Sequence, residues 1–301
     1  MNFPEKAVLI EVGPRDGLQN EKNVLPTDVK LAFIKMLGEA GFTEMEIASF
    51  VSPKWVPQMA DAAEVVRHAS PALRNIVLTP NEKGLFNALD CGCGAAAFFV
   101  GVSTAFNQKN INRTTEESMQ SILPLVTKMK DRGLFVRVCI STAFYCPYEG
   151  KMAEEDVMEI CRRFVLAGAD DLSVADTIGM ANPHEVYSLF SKLKHTFPET
   201  LITAHFHDTR GMGLANVFAA LQAGVDRFDT SAGGLGGCPF APGATGNVAT
   251  EDVLYMLEMM KIETGLSLEK VLEAVRDIET HLEKPPASKQ YALWKAKAAQ
   301  L

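Results

Sequence analysis

No apolar run in the 301-residue sequence approaches the ~20 residues that a membrane-spanning helix requires, so no membrane partner is expected. Positive charge is also short. Lys and Arg number 29 against 37 Asp and Glu, a formal net charge of −8. That balance argues against a nucleic-acid partner but leaves room for a locally basic site that binds a small anion. Six cysteines are too few for a disulfide scaffold in a chain of this length, and no CxxC pair occurs. Cys91 and Cys93 have no second pair to complete a zinc set, so two small residues packed beside a helix end is the simpler reading. No glycine-rich phosphate fingerprint follows the first apolar segment, which weighs against an open dinucleotide-binding sheet. That segment, Ala7 to Val12, begins almost at the first Met, so no signal or transit peptide is expected before it. A reducing cytoplasm is the expected compartment.

What is present is an alternation of two kinds of segment. Eight strand-length apolar runs recur: Val8–Val12, Glu44–Ala48, Ile76–Leu78, Ala96–Val102, Phe135–Ile140, Asp171–Ala175, Ile202–Phe206 and Arg227–Thr230. Amphipathic stretches of helical length lie between them, among them Asp28–Ala40, Glu116–Arg132, Glu154–Leu166, Pro183–Thr196 and Gly213–Ala223. Thr27, Thr114, Asn182 and Thr250 sit at N-cap positions, and Gly41, Gly133, Gly168 and Gly224 at helix ends. Ala-Gly precedes a strand three times, at Ala40-Gly41, Ala167-Gly168 and Ala223-Gly224. Eight strands at about thirty residues per unit predict an α/β fold, a (β/α)8 TIM barrel, rather than a doubly wound sheet. Two further helical stretches, Ala249–Lys261 and Ser267–Leu282, follow the eighth strand; after Pro285-Pro286 a short surface tail runs from Lys289. No linker divides the chain. One domain over 1–301 is expected, with the barrel over about 5–262 and a helical region over about 263–301.

In such a barrel the chemistry sits where the strands end. The first strand ends in Gly13-Pro14-Arg15-Asp16-Gly17, and the second carries Glu46. The sixth carries Ser173 and ends at Asp176, the seventh ends in His205-Phe206-His207-Asp208, and the eighth leads into a run with four glycines from Gly233 to Gly237, then Cys238 and later Asn247. His205 and His207, two apart on a strand, point to the same side. With Asp16 and Asn247 they make a donor set suited to Mg²⁺, Mn²⁺ or a similar divalent ion. Simple packing of the two imidazoles is the competing reading. Arg15 suits an oxyanion, or else a plain salt bridge. Glu46, costly if unpaired in an apolar strand, is expected to pair with Arg15 and orient it. Asp176 suits either a proton carrier or a helix cap. Cys238, on a loop rich enough in glycine to move, suits a proton donor, against the alternative of an inert thiol.

These residues resemble a family. The stretches VGPRDGLQNEKN (Val12–Asn23), ASFVSPKWVPQMAD (Ala48–Asp61), KNIN (Lys109–Asn112), CPYEGK (Cys146–Lys151), DTIGM (Asp176–Met180), AHFHDTRG (Ala204–Gly211) and GGLGGCPFAPGATGNVATED (Gly233–Asp252) resemble those of 3-hydroxy-3-methylglutaryl-CoA lyases. The last stretch is the most specific. The resemblance implies cleavage of a 3-hydroxy-3-methyl acyl-CoA to acetyl-CoA and a keto acid, acetoacetate for the namesake substrate. It implies a divalent cation on Asp16, His205, His207 and Asn247, enolate stabilisation by Arg15, proton transfer by Cys238, and catalytic-site carboxylates at Glu46 and Asp176. It also implies a homodimer. No organic cofactor beyond the CoA of the substrate is expected. Gln19, Lys22, Thr104, Cys139, Tyr145 and Ser173 are the expected substrate contacts, although a lysine on an exposed loop is commonly just a solvated side chain. The sequence departs from the family pattern at Thr104, Cys139, Tyr145 and Ala175. Those departures open citramalyl-CoA or another branched analogue as an alternative substrate. A Claisen-condensing synthase of the isopropylmalate type is a further alternative, disfavoured by the Gly233–Phe240 loop and by the lack of a long C-terminal region.

Overall fold

The structure, a computed structural model, describes residues 3–237, 246–298 and 300. Among these, eight parallel strands close on themselves: β1 (Val8–Glu11), β2 (Glu44–Ser49), β3 (Arg74–Leu78), β4 (Ala95–Gly101), β5 (Phe135–Ser141), β8 (Asp171–Asp176), β9 (Leu201–Phe206) and β10 (Arg227–Thr230). β1 pairs with both β10 and β2, which closes the barrel. A small antiparallel hairpin, β6 (Tyr145–Cys146) with β7 (Gly150–Lys151), stands above the end of β5. The TIM-barrel expectation holds, and all eight apolar runs became barrel strands.

The helices are α1 (Thr27–Glu39), α2 (Ala62–His68), α3 (Glu82–Asp90), α4 (Thr104–Ile111), α5 (Thr115–Lys130), α6 (Glu154–Leu166), α7 (Pro183–Thr196), α8 (Gly213–Gln222), α9 (Thr250–Met259), α10 (Leu268–Glu279) and α11 (Lys289–Ala298). Local sequence explains several starts. Thr114 and Glu117 form a reciprocal capping box on α5, and Asn182 with Glu185 does the same on α7. Thr27 and Thr250 depart from expectation: each is the first helical residue, with Pro26 and Ala249 at the caps. Their hydroxyls are engaged elsewhere, Thr27 on Asp61 and Thr250 on Glu11. The C-terminal tail also differs from a bare surface segment. It forms α11, whose Tyr291 is 2% exposed, stacks on Trp294 and donates its hydroxyl to Glu279.

The barrel interior is divided. An apolar cluster of Ile10, Val12, Ile76, Leu78, Ala95 and Ala97 fills the side formed by β1, β3 and β4. The rest is ionic. Alternate residues of a strand face one way, and Glu44 of β2, Arg137 of β5, Asp171 of β8 and both Arg227 and Asp229 of β10 meet inside. Arg74 and Arg227 bind Glu44 at 3.0 and 2.8 Å, Arg137 and Arg227 flank Asp171 at 3.7 and 4.0 Å, and Arg137 binds both oxygens of Asp229 at 2.5 Å. Buried charges are tolerated when an opposite charge lies beside them, although Arg137 Nε and Nη1, Asp171 Oδ2 and Arg227 Nε have no hydrogen-bond partner among the described residues. Five buried residues of alternating sign, with the exposed Arg74 at the outer end, thus form a column that ends at Asp229.

A second buried carboxylate holds the loops above the column. Glu11 accepts hydrogen bonds from the Gly13 amide (2.7 Å), the Ala232 amide (2.9 Å) and the Thr250 hydroxyl (2.7 Å). It joins the loop after β1, the loop after β10 and the start of α9. Burial pushes its carboxyl up from 4.5 to about 8, against those three hydrogen bonds. An unfolded chain ionises this group at the lower value, so its contribution to stability is complete below about pH 4.5 and is lost as pH rises through 8. Chemical denaturation of Glu11→Gln and wild type at pH 5 and pH 9 checks this. The variant is expected to gain stability relative to wild type at the higher pH, and Glu11→Ala to lose on the order of 3 kcal/mol at pH 5 from orphaned donors. Parallel pH curves for Glu11→Gln and wild type would contradict the assignment.

Candidate active site

The loop after β1 is a tight turn, Gly13–Gly17, in which the amides of Arg15, Asp16 and Gly17 all donate to the Val12 carbonyl. Its glycines permit close approach. A Cβ at Gly17 would lie 2.8 Å from the Ser231 hydroxyl and 2.9 Å from Leu235, which belong to the loop after β10. The turn projects Arg15 and Asp16 to the barrel mouth. Arg15 is 8% exposed and lies between two carboxylates, with its guanidinium 2.6 Å from Asp16 and 2.6 Å from Glu46. The expected Arg15–Glu46 pair is therefore present. The other oxygen of Glu46 is buried with no hydrogen-bond partner among the described residues.

β9 and its extension bring the two imidazoles beside Asp16. Their ring centroids are 5.3 Å apart, and one donor atom from each of Asp16, His205 and His207 lies within 4.8 Å of the others. An isolated antiparallel bridge joins His207 to Asn247. The Asn247 amide donates to Asp16 at 2.8 Å and to the Leu235 carbonyl at 3.1 Å, leaving its Oδ1 buried and unpartnered among the described residues. His205 is engaged on the other side: its Nδ1 lies 3.1 Å from Asp229, which also accepts the Ser173 hydroxyl at 2.7 Å.

The electrostatics suit a cation. Burial alone would raise the Asp16 carboxyl, but Arg15, both imidazoles and the Asn247 amide outweigh it and bring it down to about 2. Burial, with His205 alongside, drives His207 down to about 4, so its ring is neutral and offers a lone pair at neutral pH. For His205 burial opposes the charged form, but the Asp229 carboxylate outweighs burial and raises it. A carboxylate, two imidazole nitrogens and an unpartnered amide oxygen at one barrel mouth fit a hard or borderline divalent ion, and the orphaned Asn247 Oδ1 is a buried acceptor that such an ion would satisfy.

The remaining expected residues divide. Cys139 lies on β5 in register with Ser173, close enough to Glu46, Arg137 and Arg15 to feel their charges; burial pushes its thiol up to about 12. Gln19 is half-buried, with its side-chain oxygen unpartnered among the described residues. Ser173 is turned to Asp229 rather than free for substrate. Asp176 is fully buried and accepts the amides of Met180 and Ala181 at 3.0 Å each, so it closes the turn after β8; burial raises it to about 6. Thr104 is exposed in the first turn of α4 and bonds Thr115 at 3.3 Å. Tyr145 donates to Glu185 at 2.9 Å, and Lys22 is exposed. Cys238 lies outside the described residues.

Sequence reasoning missed Asp229 and Arg137, which lie beneath the imidazoles. β10 carries Arg227 and Asp229 at alternate positions of a fully buried strand, whereas Arg137 is a lone charge in β5.

The HMGL-like family model matches residues 6–278. A mitochondrial hydroxymethylglutaryl-CoA lyase of Bos taurus is 46% identical over 274 residues, 90% of this chain and 84% of that protein. The crystal structure of the Bacillus subtilis HMG-CoA lyase is 43% identical, with a TM-score of 0.95 covering 98% of this chain and 100% of the other. An Acinetobacter baumannii HMG-CoA lyase structure in complex with coenzyme A and 3-methylmalate is 36% identical, with a TM-score of 0.90 covering 96% and 95%. With a family match over most of its length and near-full-length relatives above 40% identity, the chain belongs to the HMGL-like family.

Proposed function

We propose that the protein is a divalent-metal-dependent carbon–carbon lyase that cleaves 3-hydroxy-3-methylglutaryl-CoA to acetyl-CoA and acetoacetate. The observation that carries the reading is the convergence of Asp16, His205 and His207 beside the buried guanidinium of Arg15. Asp16, His205, His207 and the side-chain oxygen of Asn247 would hold the cation, Mg²⁺ or Mn²⁺. When bound, it supplies Lewis acidity that acidifies a tertiary hydroxyl and fixes its orientation.

The chain's own groups account for the rest. As the hydroxyl proton passes to a base at the mouth, a carboxylate or imidazole other than Asp16, the C2–C3 bond breaks. C3 becomes the ketone of acetoacetate, and the electron pair passes to C2 and the thioester oxygen as an enolate. Arg15, held from behind by Glu46, presents a fixed positive charge to that oxygen. Asp16, with its proton affinity held low, is poorly suited to be a base and well suited to be a ligand. Protonation of C2 completes acetyl-CoA, and Cys238, at the end of the glycine run, is the proposed donor. Gln19 and Cys139 are proposed as acyl contacts and Lys22 as a partner for CoA phosphate. On family grounds the reading extends to a homodimer working in the cytoplasm.

Incubation of the purified protein with Mg²⁺ and 3-hydroxy-3-methylglutaryl-CoA is expected to release acetyl-CoA and acetoacetate in equal amounts, and chelator is expected to abolish the release. Cleavage of citramalyl-CoA in its place, or net condensation of acetyl-CoA with a keto acid, would overturn the substrate assignment. Arg15→Gln is expected to lower kcat about 10²–10³-fold with the fold intact by circular dichroism. A change confined to KM would remove Arg15 from the reacting atoms.

A further inference from the structure

We infer that Asp229 is the positioning residue of the cation site. Its carboxylate, clamped by Arg137 and Ser173, fixes the His205 imidazole with its proton on Nδ1 and its Nε2 lone pair turned toward Asp16 and His207. The inference rests on the reading of Asp16, His205 and His207 as the seat of a cation.

Three observations carry it. First, strand register places Asp229 of β10 level with His205 of β9, so the two side chains enter the barrel as neighbours. Second, Asp229 is 4% exposed, and its oxygens receive the Arg137 guanidinium at 2.5 Å and the Ser173 hydroxyl at 2.7 Å. A carboxylate paired with a guanidinium only accepts hydrogen bonds, so the imidazole nitrogen 3.1 Å away is the donor. Third, the other imidazole lacks such a support: His207 Nδ1 is buried with no partner among the described residues. His205 is therefore the ligand whose orientation and tautomer are set in advance. Carboxylate support of a ligating histidine orients the ring and raises its donor strength. Arg137 acts at one remove. It is wholly buried and binds both oxygens of Asp229, including the Oδ2 that the imidazole nitrogen approaches, and Asp171 beside it continues the ionic column.

The test is Mn²⁺ binding to chelator-treated protein, followed by electron paramagnetic resonance of the free ion. Wild type is expected to bind one strong equivalent. Asp229→Asn, which keeps the volume but offers an N–H that favours the opposite tautomer, is expected to bind about 10–100-fold more weakly. A merely structural role for Asp229 would lower the melting temperature and leave the Mn²⁺ affinity of the folded fraction unchanged, and that result overturns the inference. If the variant does not fold, nitrogen-15 spectra of histidine-labelled, metal-free wild type decide. The proton of neutral His205 is expected on Nδ1, and a proton on Nε2 overturns the inference. Wild type that binds no Mn²⁺ at this site overturns the cation reading itself, and the inference with it.

Discussion

Arg137 and Asp229 meet inside the barrel, where neither charge can be solvated, and the arrangement of the mouth above depends on that meeting. A buried pair of this kind adds little to net stability compared with an apolar replacement, whereas removal of one partner typically costs about 3–5 kcal/mol. Its value lies in specification. Arg137 needs anions, and Asp171 and Asp229 supply them from two different strands. Asp229 in turn needs donors, and Ser173 and His205 supply those. Each link fixes the next until the column reaches a side chain that faces the mouth.

A second set of links comes from above. Asp16 is held by Arg15 and by the Asn247 amide, Arg15 by Glu46, and the backbone beneath these loops by Glu11 and by Glu251, which accepts the Gly233 amide at 3.1 and 3.0 Å. The donor atoms that converge at the mouth are thus supported by strands β2, β5, β8, β9 and β10 and by three loops. Pre-organisation of this kind lets a site bind and polarise a substrate without moving charges at the moment of reaction. The net charge of −8 is no obstacle, because arginines sit against the carboxylates of the barrel interior and Arg15 brings a fixed positive charge to the mouth.

Much of this was legible before any coordinates. The strands could be read because parallel strands buried on both faces are near-continuous apolar runs. The mouth could be read because its residues sit at strand ends, where polar groups have no packing reason to be. The interior column was not legible. Arg137 is a lone charge in β5, Arg227 and Asp229 alternate on β10, and only register shows that these residues and Asp171 are neighbours. Asp176 illustrates the opposite limit. A carboxylate at a strand end is as consistent with a turn-closing role as with catalysis, and each of its oxygens accepts one amide, from Met180 and from Ala181. Thr250 looked like a helix cap, yet its hydroxyl answers a buried glutamate more than two hundred residues away in sequence. Local propensity lost to a tertiary hydrogen bond there, because an unsatisfied carboxylate in the core costs more than an uncapped helix turn.

The groups that converge at the barrel mouth are proposed to seat a divalent cation. Anomalous diffraction at the manganese edge from a Mn²⁺-soaked crystal of the protein tests this directly. A single strong peak bounded by Asp16, His205, His207 and the Asn247 side-chain oxygen is expected. A peak elsewhere, or none at saturating Mn²⁺, would contradict it.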